Sequence, residues 1–100
     1  MEQRAVTRYN LRVPAHVKTM PDHGDIQSYE WETRDVSSNG AFLLTNGQLL
    51  GNGTNITVNL CLKSFSGASS WVTMNGRVVR SENEGIGVSF DGQYQFTGNA

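Results

Sequence analysis

Ile56-Thr57-Val58-Asn59-Leu60-Cys61-Leu62 alternates apolar and polar residues without a break. A strand sends successive side chains to opposite faces, so Ile56, Val58, Leu60 and Leu62 share one face and Thr57, Asn59 and Cys61 the other. That is the signature of a strand with one wet and one buried side. Working outward, Lys63 to Ser70 is rich in Ser and Gly and reads as a loop. Trp71 to Ser81 follows as a long strand with Val72, Met74 and Val78 on one face, and Ile86, Val88 and Phe90 form the last strand. Upstream, Asn46-Gly47 and Gly51-Asn52-Gly53 bracket a connection, preceded by the short apolar run Ala41-Phe42-Leu43-Leu44-Thr45. Before it, Tyr29, Trp31 and Thr33 alternate with Glu30, Glu32 and Arg34, a strand ending near Asp35. The first strand is read from Leu11, Val13, Ala15 and Val17, with a loop from Met20 to Asp25 after it. Pro14 removes one ladder donor, which suggests an edge or a bulge there.

No segment carries a helical period over the ten or more residues that a helix needs. Asn-Gly pairs at 39, 46, 52 and 75 reinforce the β reading, because both residues tolerate positive φ in tight turns. The expected fold is all-β, with six antiparallel strands. Closure removes exposed strand edges, so a six-stranded barrel is favoured over an open sandwich. The chain divides into an arm (1–9), a barrel (10–91) and a C-terminal tail (92–100) of a single domain, with both ends loosely held.

At 100 residues and 37% hydrophobic content there is material for one core. The formal charge of -1 argues against generic attraction to DNA, RNA or an anionic membrane. His16 and His23 lack the companions that a metal site needs, and Cys61 has no histidine near it in sequence. Neither a nucleophile elbow nor a phosphate-binding glycine loop before a helix occurs, so an enzyme is not expected, nor a cofactor. One cysteine, no apolar leader and no apolar run of spanning length lead to the expectation of a cytoplasmic chain without membrane insertion.

Local clustering must then supply any anion site. Three of the eight basic residues, Arg4, Arg8 and Arg12, lie in the first twelve positions. In Arg4-Ala5-Val6-Thr7-Arg8 the arginines precede the first strand. Each fork offers paired donors to guanine O6 and N7 or to phosphate, and a flat face for stacking. Taken alone, such a pair is ordinary solvated charge. Its complement is Asp35-Val36-Ser37-Ser38-Asn39-Gly40. Here Asp35 suits the N1–H and N2–H2 donor edge of guanine, Ser37 can add a hydrogen bond, and Gly40 lets the backbone turn or approach a ring. The bland reading of that segment is a strand running into a turn. Together the two motifs suit guanine better than adenine.

An Arg-x-x-x-Arg arm before the first strand and Asp-x-Ser-x-x-Gly after the second resembles the PilZ domain family. Gly76-Arg77-Val78-Val79-Arg80 and Gly85-Ile86-Gly87-Val88-Ser89-Phe90 are similar to that family's closing strand pair. The resemblance runs from about Arg4 to Phe90. It implies a six-stranded barrel with a flexible N-terminal arm that binds the second messenger cyclic di-GMP. It implies further that Arg4 and Arg8 engage guanine and phosphate, and that Asp35 and Ser37 hold a guanine while Gly40 permits the turn. Ligand binding is expected to order the arm and signal to a partner protein. Two positions depart from the family pattern. Gln3 stands where many members carry another arginine, which favours one bound dinucleotide over a stacked pair. Asn39 stands where a second glycine is common, and Asn tolerates the left-handed region. Two alternatives remain: a nucleotide-independent interaction module of the same fold, and a single-strand nucleic-acid binder using Tyr29, Trp31 and Trp71. Glu30 and Glu32 beside Trp31 count against the latter.

Overall fold

The computed structural model describes residues 10–19, 24–48, 50–63 and 69–99. Six strands follow in order: β1 (Pro14–Thr19), β2 (Ser28–Val36), β3 (Gly40–Leu44), β4 (Asn55–Lys63), β5 (Ser69–Ser81) and β6 (Gly85–Asn99). All pairings are antiparallel, and the spatial order β1-β2-β3-β6-β5-β4 closes on itself as β4 pairs with β1. The all-β barrel read from the alternation is therefore the fold. No helix of the described residues is long and apolar enough to cross a membrane.

The opening alternation is realised in β4, where Ile56, Val58 and Leu60 are at most 1% exposed. They meet Ala15 and Val17 of β1 and Leu43 and Ile86 from the far wall in one core cluster. Emptying such a site, as in Leu43→Ala, costs about 2–5 kcal/mol, a large share of the roughly 5–15 kcal/mol that holds a domain together.

Three details differ from the sequence reading. Pro14 is not on an edge strand, because β1 has neighbours on both sides. It is tolerated as the first strand residue, where pairing with β4 begins only at Ala15. Asn75-Gly76 is not a turn: it lies inside β5, with Gly76 opposite Ile56. Positive φ is found at both Asn46 (56°) and Gly47 (88°), and at Gly53 (89°) of Asn52-Gly53. Finally, β6 does not stop near Phe90, and the segment 92–100 assigned to a tail is strand through Asn99, paired with β5 as far as Ser70. The long β5 leaves ladder groups that only a continued β6 can satisfy.

Thr33 links the start of the chain to this frame. It is fully buried, donates its hydroxyl to the Leu11 carbonyl and accepts from Val13 N at 3.0 Å. The backbone entering β1 is thus fastened to β2 two residues before Asp35.

Candidate functional site

Strand parity alone would send Asp35 into the core, since Trp31 and Thr33 are buried on that face. A register shift between Thr33 and Asp35 prevents this. Arg34 is the extra residue of a β-bulge, and beyond it Asp35 pairs with Phe42 on the outer wall while Val36 turns in against the core. Phe42 is 1% exposed yet stands outside the core cluster, so its ring is covered from the barrel's exterior. A second shift, between Val78 and Arg80, extrudes Val79 (50% exposed) and sets Arg80 opposite Gly87. Phe42 also pairs with Gly87. Two bulges therefore align Asp35, Phe42, Gly87 and Arg80 as one row across β2, β3, β6 and β5.

Guanidinium groups cover the aromatic centre of this row. Arg34 Cζ lies 3.9 Å from the Phe42 centroid and Arg80 Cζ 5.6 Å from it. Such contacts are worth about 0.5–2 kcal/mol according to how far they are desolvated. Arg34 Nε donates to Asp35 Oδ2 at 3.1 Å and its NH1 to Glu84 Oε1 at 2.9 Å. The hydrogen bond to Asp35, foremost, and that to Glu84 raise the Arg34 pKa, against a smaller desolvation that lowers it, so the group stays charged at all working pH. Arg80 lies across Gly87: a Cβ there would fall 2.9 Å from Arg80 Cγ and 3.0 Å from its Nε. Its Nε also pairs with Glu82 at 3.1 Å. Gly87 is the gap through which Arg80 reaches the row.

The Asp35–Gly40 segment closes the β2–β3 connection. Ser37 N donates to the Gly40 carbonyl at 2.8 Å, and the Ser37 hydroxyl donates to the same oxygen at 3.3 Å while accepting from Asn39 N at 3.2 Å. In this state the hydroxyl's single proton serves the turn, leaving Ser37 as an acceptor towards a ligand. Gly40 is needed for a different reason from the one expected. Neither it nor Asn39 has positive φ; instead a Cβ on Gly40 would lie 2.1 Å from the Val88 carbonyl oxygen, because β3 crosses β6 too closely for any side chain. The Asn39 carbonyl accepts from Phe90 N at 2.7 Å, fastening the turn to β6.

Asp35, Ser37, Asn39 and Gly40 thus line one recess of about 220 Å³, shared with Phe42 and Arg80. A larger groove of about 610 Å³ lies beyond Glu84, with Arg12, Glu30 and Glu32 on its walls. Three carboxylates against one arginine, itself paired with Glu32 at 3.2 Å, make that groove a poor host for an anion. Arg4, Arg8 and Gln3 lie outside the described residues.

Sequence reasoning brought forward Asp35, Ser37, Asn39 and Gly40, which do converge, and passed over Arg34, Phe42, Arg80 and Gly87. One signal was present. Ala41-Phe42-Leu43-Leu44 is a continuous apolar run rather than an alternating one, which marks a strand covered on both faces. No curated protein matches the sequence closely enough to add a named relative. The family model for the PilZ domain matches residues 2–95. With the barrel and the Asp35–Gly40 turn in place, the chain belongs to the PilZ domain family, whose members are generally cyclic di-GMP-binding domains.

Proposed function

We propose that this chain is a cyclic di-GMP receptor whose ligand sits in the Asp35–Arg80 recess and is completed by Arg4 and Arg8. The observation that carries this reading is the row itself. A carboxylate and a flat guanidinium stand on one wall, separated by a covered aromatic and a glycine, beside the Ser37–Gly40 turn. Asp35 accepts from guanine N1–H and N2–H2, the Arg80 plane supports the base, and the Ser37 oxygen accepts from a further donor. At about 220 Å³ the recess is smaller than the roughly 300–1,000 Å³ typical of small-molecule sites. It suits one base of the ligand, leaving the phosphates to be met from elsewhere.

The arm is the source of that second half. Leu11, bonded to Thr33, fixes the start of the described chain two residues from Asp35. Arg8 is three residues further out, within about 10 Å at full extension. Two arginines there balance the ligand's two negative charges in a chain of net charge -1. Ordering the arm over the recess presents a changed surface to a downstream protein, and the entropy lost in ordering keeps affinity moderate. Gln3 in place of a further arginine favours one ligand per chain.

Isothermal titration with cyclic di-GMP, with GTP as the control, tests the reading. Saturable binding at one ligand per chain, lost in Arg8→Ala, is expected. A wild-type chain that gives no heat and no thermal shift would leave the interaction-module reading in its place, and wild-type affinity in Arg8→Ala would exclude the arm.

A further inference from the structure

We infer that Arg34 is a positioning residue for Asp35, set in turn by Glu84 of the β5–β6 turn, so that this turn governs how sharply the recess distinguishes guanine; the inference rests on the cyclic di-GMP reading of the recess. Arg34 belongs to neither sequence motif; it faces outward by strand parity, and the bulge brings Asp35 onto the same wall beside it. Its guanidinium is fixed on three sides: the Phe42 ring at 3.9 Å, Asp35 Oδ2 at 3.1 Å and Glu84 Oε1 at 2.9 Å. A planar fork held by two carboxylates and a ring face has little torsional freedom left. Asp35 is itself 8% exposed, so contacts on this wall set the plane of its carboxylate, and the Arg34 fork is one of them.

Glu84 is itself well placed to act as the anchor. Its backbone carbonyl accepts from Thr45 N at 3.1 Å, and the turn around it is closed by Glu82 N to Gly85 O at 2.8 Å and Gly85 N to Glu82 O at 3.2 Å. A continuous chain of contacts therefore runs from the β5–β6 turn through Glu84 and Arg34 to the Asp35 carboxylate. A carboxylate has about four lone-pair directions, so Arg34 can orient the group and still allow a base edge to bond it. Two parallel donors, such as guanine N1–H and N2–H2, need that plane fixed. A base with only N1–H needs it less.

The test compares cyclic di-GMP with its hypoxanthine analogue, cyclic di-IMP, which lacks the 2-amino group. Both are titrated calorimetrically into wild type, Arg34→Lys, Glu84→Gln and the double variant, with thermal melts as the check on folding. Wild type is expected to prefer cyclic di-GMP by about tenfold or more. In Arg34→Lys, which keeps the charge but loses the plane, the preference should shrink to about threefold or less. Glu84→Gln, isosteric at an exposed turn position, should shrink it part of the way. The double variant should add little to Arg34→Lys, because both residues act along one path. A merely structural role would weaken both ligands alike and leave the ratio intact. An undiminished ratio in both single variants overturns the inference while leaving the binding site standing. A wild type that binds neither ligand overturns the site reading, and the inference with it.

Discussion

Two hollows of the barrel wall, one lined by Glu84 and the other by Asp35, are linked through Arg34 and differ in nearly every other respect. The larger, about 610 Å³, is walled by Glu30, Glu32 and Glu84 with Arg12 tied to Glu32. The smaller, about 220 Å³, holds Asp35 and Arg80 on a row prepared by two β-bulges and floored by Phe42. Volume favours the first and chemistry the second. A cyclic dinucleotide is a dianion with flat bases, so it needs cations, planar surfaces and one well-placed carboxylate. Of the two, the smaller hollow offers these among the described residues, and it offers them because register, not loop length, aims the side chains.

The largest expected effect is from Asp35→Ala. Removing the carboxylate proposed to meet the guanine edge should eliminate measurable cyclic di-GMP binding, a loss of about 3 kcal/mol or more. Its melting curve should stay cooperative, since the residue, though buried, lies outside the core cluster. Gly87→Val comes next: its branched Cβ meets Arg80 at 2.9 Å and must push it off the row, for a loss of about 2 kcal/mol in affinity by calorimetry. Arg80→Ala removes the supporting plane and should cost about 1–2 kcal/mol, with guanine preference retained. In the other hollow, Glu30→Gln should change affinity by less than about 0.5 kcal/mol. A strong loss in that last variant would reverse the comparison.

How much of this could be read in advance varies with the range of the interaction. The strands follow from period-two alternation, a local property, and β4 from Asn55 to Lys63 matches the residues that reveal it. The bulges at Arg34 and Val79 are not local. A bulge settles a mismatch between paired strands, and nothing in Thr33-Arg34-Asp35 by itself says that parity will slip there. Asp35 and Gly40 were legible as candidates that share one recess, but the structural reason for Gly40 was not. It lies in the closeness of Val88, almost fifty residues away in sequence. Arg80 and Gly87 were hidden for the same cause, because the row runs in the spatial order β2-β3-β6-β5. The end of β6 was missed because residues 91–99 carry only Tyr94 and Phe96 as large apolar side chains and are broken by Gly92 and Gly98, while their strand state depends on β5 as a template.

The most direct measurement is amide and side-chain NMR on the wild-type chain titrated with cyclic di-GMP. The account predicts shifts concentrated at Asp35, Ser37, Phe42, Arg80 and Gly87, with Glu30, Glu32 and Asn46 nearly still. Shifts centred on the larger groove, or none at saturating ligand, would contradict it.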